Sequence, residues 1–188
     1  MIKSNNNKVW NKKFILTNNG TPGGSTSVDS SGSLTSLTTV AQGTTQQTRV
    51  GNHAILKRVW GNICMYADST DVQNNMRLMI ISWTDATTPT MSDVLVSASA
   101  YTNCYYNLNN IENGKLRVLL DEHYPISYQG NGPKAKHVDL KLNMPLQWAT
   151  TGSAAPIING IYLVLVSDSS VVTHPSVQSS WVAVLDNE

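Results

Sequence analysis

Charge is what this sequence has least of. Only 13% of its 188 residues are Asp, Glu, Lys or Arg, against about a quarter in an ordinary soluble domain. Cysteine is nearly missing as well. Cys64 and Cys104 are too few and too far apart for a disulfide framework or a zinc site, and both read as small core hydrophobes. Phe14 is the single phenylalanine, although Trp10, Trp60, Trp83, Trp148 and Trp181 are present. No stretch approaches the ~18 apolar residues of a membrane span, so no membrane partner is expected. The Lys/Asn-rich N-terminus lacks the apolar core of a signal peptide. Synthesis in the cytoplasm or nucleus is the expectation.

The constellations that carry enzyme chemistry are also missing. There is no Gly-x-Ser-x-Gly elbow, and the Gly20–Gly24 stretch lacks the lysine and helix of a phosphate loop. His53, His123, His137 and His174 show no spacing suited to a catalytic metal. A Cys104–His123 pair is conceivable, but a core cysteine and a surface histidine describe them better. Asp121 and Glu122 are neighbours on a strand and point to opposite faces, which prevents paired acid–base work. No catalytic residues and no enzymatic activity are expected.

What fills the gap is Ser, Thr, Asn and Gly. Such a composition gives an uncharged polar surface, suited to a protein covered by copies of itself or to a lectin-like sandwich. The few charges are unevenly spread. Residues 1–67 hold seven bases against Asp29 alone, and the remainder holds six bases against eleven acids, so the parts carry +6 and −5. That asymmetry points to a polyanion partner for the basic end, or to a plain solvated tail. Residues 1–13 read as a polar basic arm and 14–188 as one domain. Trp10 lies among Lys8, Lys12 and Lys13, a setting for base stacking beside phosphate contacts or for docking of the arm on a neighbour.

Short apolar runs recur between turn signals, as in a sandwich or barrel. Strands are predicted at 34–42, 54–67, 76–84, 101–107, 115–124, 135–143, 158–167 and 179–186, with Phe14-Ile15-Leu16 as a further edge strand. Eight is the number that a jelly roll needs. Val138, Leu140 and Leu142 alternate with His137, Asp139 and Lys141, so the leucines and valine should face the core. Leu116, Val118 and Leu120 are expected to do the same, opposite Lys115, Arg117 and Asp121. The unbroken Ile161–Val166 run should be covered on both sides, by the core and a neighbouring subunit, or as a central strand with no partner. One short helix is predicted after Pro89, capped by Thr90 or Ser92, with Asp93 in its first turn.

The passage Gln42-Gly43, five residues, then Arg49-Val50-Gly51-Asn52 resembles the Q-G-x(5)-R-[IV]-G-[ND] segment of single jelly-roll viral coat proteins. These include the satellite tobacco necrosis virus type and the capsids of small circular single-stranded DNA viruses. In that family the segment joins the first two shell strands. Further pieces follow in order. Asn11-Lys12-Lys13-Phe14-Ile15-Leu16 resembles the end of the family's basic arm and its first strand. Trp83-Thr84-Asp85 with Thr87-Thr88-Pro89-Thr90, then Asp93-Val94-Leu95, is similar to its loop and helix. Lys115–Asp121 resembles its F-x-[IV]-L-x-D strand.

The resemblance implies an all-β, eight-stranded antiparallel jelly-roll sandwich with a short basic arm and one short helix. It implies a capsid protein of a virion whose partners are itself, as a sixty-copy T=1 shell, and single-stranded viral RNA or DNA. The candidate nucleic-acid-binding residues are Lys3, Lys8, Trp10, Lys12, Lys13, Lys57 and Arg58. The family usually carries a longer, Arg-rich arm; here no arginine precedes Arg49, so either a longer arm lies outside this sequence or inner-face bases such as Lys57 and Arg58 must share the neutralisation. Satellite capsids hold calcium between subunits with an acid just before the Lys-Lys-Phe segment. Here Val9-Trp10-Asn11 offers none, which leaves Asp186 and Glu188 as candidate ligands. The alternative is a non-viral jelly-roll binding module, a lectin or a trimer of the tumour-necrosis-factor type.

Overall fold

The structure, a computed structural model, describes residues 12–19, 26–96, 101–130, 132–150, 152–170 and 173–186. Two antiparallel sheets face each other. The first has the order β1 (Lys12–Asn19), β9 (Ser176–Asp186), β4 (His53–Tyr66), β7 (Lys134–Gln147). A two-residue strand, β2 (Thr26–Ser27), also pairs with β9. The second has the order β3 (Ser33–Ser36), β8 (Gly160–Ser167), β5 (Gln73–Trp83), β6 (Leu116–Ser127). Apart from β2 and the β5–β6 hairpin, each strand crosses to the opposite sheet from its predecessor. Eight principal strands connected this way make a jelly roll.

Period-two burial builds the first sheet. Ala54, Leu56, Val59, Ile63 and Met65 of β4 are buried, as are Val138, Met144 and Leu146 of β7. Leu140 and Leu142 pack against the same core, half-buried, while Asp139 and Lys141 are exposed. The predicted register of β7 is therefore the observed one. Gly61 is the place where β4 admits no side chain. Its register partner on β9 is Trp181, and a Cβ there would stand 2.5 Å from that indole and from the Ser180 carbonyl. The buried indole fills the space that glycine leaves.

The second sheet is different, because β8 and most of β5 are buried on both faces. Inward, Leu78, Ile80, Ile161, Leu163 and Leu165 join the core between the sheets. Outward, Met79, Ile81, Trp83, Tyr162, Val164 and Val166 form a second apolar cluster with Val94, Leu95, Cys104 and Leu116. The chain between β5 and β6 supplies the roof, through α1 (Met91–Val94) with Leu95 and through the segment of Cys104 and Tyr106 that follows a 3-10 turn (Tyr101–Asn103); α2 (Leu108–Glu112) lies outside it with no buried residue. The second cover of Ile161–Val166 is thus part of the same chain and not a neighbouring subunit.

α1 is the predicted helix, and its cap works through Asp93, whose carboxylate accepts from the Thr90 backbone N (2.8 Å) and Thr90 Oγ1 (2.7 Å). Arg77 anchors the rest of the roof. Its Nη1 donates to the Cys104 carbonyl (2.8 Å), and its Nε and Nη2 grip Asp121 at 2.9 and 2.8 Å. The Tyr106 hydroxyl also donates to Asp121, and the guanidinium lies 5.1 Å from the Tyr106 ring centroid.

Three expectations are corrected. Residues 101–107 are not a strand: they contain the 3-10 turn and a single bridge from Tyr106 to Leu95. The edge segment around Phe14 restores the count of eight, since it pairs with β9 along all of Lys12–Asn19. Leu116, Val118 and Leu120 do not share a face. The β5–β6 register slips between Ile80 and Ile81, so Leu120 opposes Ile80 of the inner core while Val118 opposes Ile81 of the outer cluster. Cys64, expected in the core, is only half-buried on the outward parity of β4; Cys104 is buried.

Candidate nucleic-acid interface

The Gln42–Asn52 passage is a structural clasp. It joins β3 to β4, the second and third principal strands, because the Phe14 segment is a full strand before them. Arg49 is fully buried. Its Nη2 donates to the carbonyls of Thr150 (3.0 Å) and Ser153 (2.7 Å), its Nη1 to Gly51 O and Asn52 Oδ1, and its guanidinium lies 4.7 Å from the Trp148 ring centroid. Gly51 has φ +76°, a conformation that favours glycine. The Trp148 backbone N donates to Asn52 O (2.9 Å). Arg49 and Asn52 thus tie the loop before β4 to the loop after β7, and Gly51 supplies the turn and a carbonyl that hold Arg49 in place. Burial pushes the Arg49 guanidinium below its usual pKa, a direction that marks a structural cation rather than a solvated binding group.

Of the candidate site residues, Lys3, Lys8 and Trp10 lie outside the described residues. Lys12 and Lys13 open β1, in register with Asp186 and Leu185. Lys57 and Arg58 lie on β4 at a bulge, where the pairing to both β7 and β9 slips between Leu56 and Arg58. The bulge has a direct chemical result. Leu56 and Val59 are both buried, so the two residues between them can both face outward. Lys57 Nζ donates to Asn143 Oδ1 (2.9 Å), and Arg58 holds Asp139 in a bidentate pair, Nε to Oδ1 at 2.6 Å and Nη2 to Oδ2 at 2.7 Å.

Successive rungs of this outer face carry different chemistry. Arg58 stands opposite Lys141 of β7 and Val184 of β9. The next outward rung holds Trp60 between Asp139 and Val182, and the one after it holds Asn62 between His137 and Ser180. His137 Nδ1 lies 2.9 Å from Asn62 Oδ1. The Arg58 guanidinium is 5.8 Å from the Trp60 ring centroid, near the outer limit of a cation–π contact. The hydrogen bond to Asp139 raises the Arg58 pKa, and Arg58 in turn holds the Asp139 carboxyl below the usual range. Trp60, Lys141 and His137 also belong to this face, beyond the residues expected from the sequence. The β7 alternation had already placed Lys141 outward; the Trp60 rung needed the bulge to be known.

The two candidate calcium ligands are not brought together by the described residues. Asp186 is in register with Lys12 and Ile55, Glu188 is outside the described residues, and no group of three or more His, Cys, Asp or Glu able to hold a metal occurs among the described residues. A Ser/His/Asp grouping does occur among the described residues. Ser169 Oγ donates to Asp71 and lies 3.0 Å from His174 Nδ1. The hydroxyl sits between the acid and the imidazole, whereas nucleophilic activation needs the imidazole in the middle. Ser169 is also only 2% exposed, and the grouping fastens the loop after β8 to the loop after β4.

No family model matches the chain, and no curated protein sequence matches it. Among solved structures, it is similar to a chain from Desmodium yellow mottle tymovirus, with a TM-score of 0.41 and 14% identity over 94% of this chain and 87% of that one. It is also similar to a chain from the empty head of turnip yellow mosaic virus, with a TM-score of 0.40 and 8% identity over 94% and 80%.

Proposed function

We propose that this chain is the coat protein of a small icosahedral virus, of the satellite tobacco necrosis virus or circular-DNA-virus type, and that sixty copies close into a T=1 shell around single-stranded nucleic acid. The observation that carries this reading is the jelly-roll strand order together with the clasp. The passage that resembles the family segment, Gln42–Asn52, is the one whose Arg49 and Asn52 tie two loops together at one end of the sandwich. A rigid eight-stranded wedge with fastened loops suits packing around symmetry axes. The low charge and the basic first third of the sequence suit subunit burial and a polyanion partner.

In this reading the arm residues Lys3, Lys8, Trp10, Lys12 and Lys13, with Lys57 and Arg58, face the enclosed nucleic acid and bind its phosphates without regard to sequence. Mass photometry of purified protein should show a particle of about sixty times the 20.5 kDa chain. A monodisperse monomer, or a trimer of the binding-module kind, would overturn it.

A further inference from the structure

We propose that the outer face of the β1-β9-β4-β7 sheet is a stacking platform for unpaired nucleobases, centred on Trp60, with Arg58, Lys57 and Lys141 taking the phosphates on either side. The inference rests on the coat-protein reading for its ligand, and adds that the strand is held single and by its bases.

Trp60 is unlike the other tryptophans that the structure describes. Trp83, Trp148 and Trp181 are at most 3% exposed, whereas Trp60 is half-buried and points away from the core. It sits mid-strand on the outward parity of β4, with the Arg58 guanidinium 5.8 Å from its ring centroid. Stacking needs a flat ring face, and every base has one to offer. The electrostatics choose a polyanion over a neutral sugar. Arg58 and Lys141 stand directly opposite in the β4–β7 ladder, a like-charge pairing that costs stability unless an anion relieves it. Asp139 relieves half of it by taking Arg58 in a bidentate grip. Lys141 has no hydrogen bond or ion pair of its own among the described residues, although Asp139 is within its electrostatic reach. The Arg58–Asp139 pair is exposed on both sides. Such pairs contribute little, so a phosphate, which also accepts bidentate guanidinium bonds, can replace the carboxylate at small cost. The strand that opens with Lys12 and Lys13 is the edge strand of this same sheet, with Lys12 in register with Asp186.

A duplex hides its bases and meets this face only through phosphates; a single strand meets it through both. The full-length protein is therefore titrated with a fluorescent oligothymidylate, the matching blunt duplex and a neutral oligosaccharide. Anisotropy and tryptophan emission are read between about 50 and about 200 mM salt. We expect the single strand to bind more tightly than the duplex and to quench tryptophan emission. Trp60→Ala should lower single-strand affinity about fivefold or more and remove part of the quenching, with duplex binding unchanged. Trp60→Phe, which keeps a ring and guards against misfolding of the alanine variant, should retain most of the affinity. Lys141→Ala should weaken both ligands and reduce the salt slope by about 0.7 on the single strand. Equal single-strand affinity in Trp60→Ala and parent, equal affinity for duplex, or quenching by the oligosaccharide overturns the platform. Shell formation is measured on the same samples. Shells that form and bind nucleic acid with no Trp60 effect overturn the platform alone, whereas absence of shells overturns the coat-protein reading.

Discussion

The two sheets present opposite solutions to their outer faces. On β4 and β7 the outward positions include Arg58, Trp60, Asn62, His137, Asp139 and Lys141, with no roof over them among the described residues. On β5 and β8 they are Met79, Ile81, Tyr162, Val164 and Val166, roofed by the chain between β5 and β6. Both sheets bury their inward residues against each other, so the inner core does not distinguish them. The outward row does. An apolar row demands a cover, and here the chain spends the segment between Trp83 and Leu116 on providing it. A mixed polar row needs none and is left free for a ligand or another subunit.

A charge placed on each face is the strongest way to break this comparison. Val164→Lys puts an unpaired ammonium under the roof and should cost upwards of about 4 kcal/mol, enough to remove soluble protein. Val182→Lys, beside Trp60 on the open face, should change stability by no more than about 0.5 kcal/mol. Urea denaturation of the two variants compares them directly. Equal loss in both would mean that the open face is covered in the native particle.

A smaller difference is expected within one strand. Leu140→Ala should cost about 2 kcal/mol, the lower end for a buried leucine, because the side chain is only half-buried against the core. Lys141→Ala, one residue on and facing out, should leave the unfolding midpoint within about 0.5 kcal/mol of the parent. If Leu140→Ala is as stable as the parent, the β7 register is wrong.

The smallest effect concerns the two Arg–Asp pairs, one per face. Burial opposes ionisation of Asp121, but its hydrogen bonds from Arg77 and Tyr106 outweigh that and hold the carboxyl below its usual 3.8. Its stabilising contribution is therefore complete above that value and is lost as pH falls through the lower, folded-state one. Asp139 is held down in the same direction by Arg58, but in an exposed pair that water and salt screen. Thermal unfolding from neutral to acid pH should show Asp121→Asn flattening the acid limb more than Asp139→Asn does. The reverse order would place the stabilising pair on the open face.

How much of this was legible in the sequence depends on where the alternation is uniform. Val138, Leu140 and Leu142 reveal their face because nothing interrupts the period of two. Leu116, Val118 and Leu120 look equally regular, yet a one-residue slip opposite Ile80 and Ile81 reverses the last of them, and no residue type announces that slip. Ile161–Val166 announces burial on both sides but not what provides it, which depends on Arg77 and Asp121 gripping the Cys104–Tyr106 segment from distant strands. Tyr101–Asn107 reads as a strand because its tyrosines favour one, and tertiary anchoring overrides that preference. The basic pair Lys57-Arg58 was visible as chemistry, but its common outward aim comes from the bulge. Trp60 was visible only as one tryptophan among five.

The pairing of Lys12 with Asp186 has a consequence for design. Partners across an antiparallel ladder lie about 5 Å apart, so both extremities of the sandwich leave from one spot. A tag joined directly to Lys12 and another joined directly to Asp186 would start from the same place. A donor and an acceptor dye placed there would report one short distance, which unfolding lengthens.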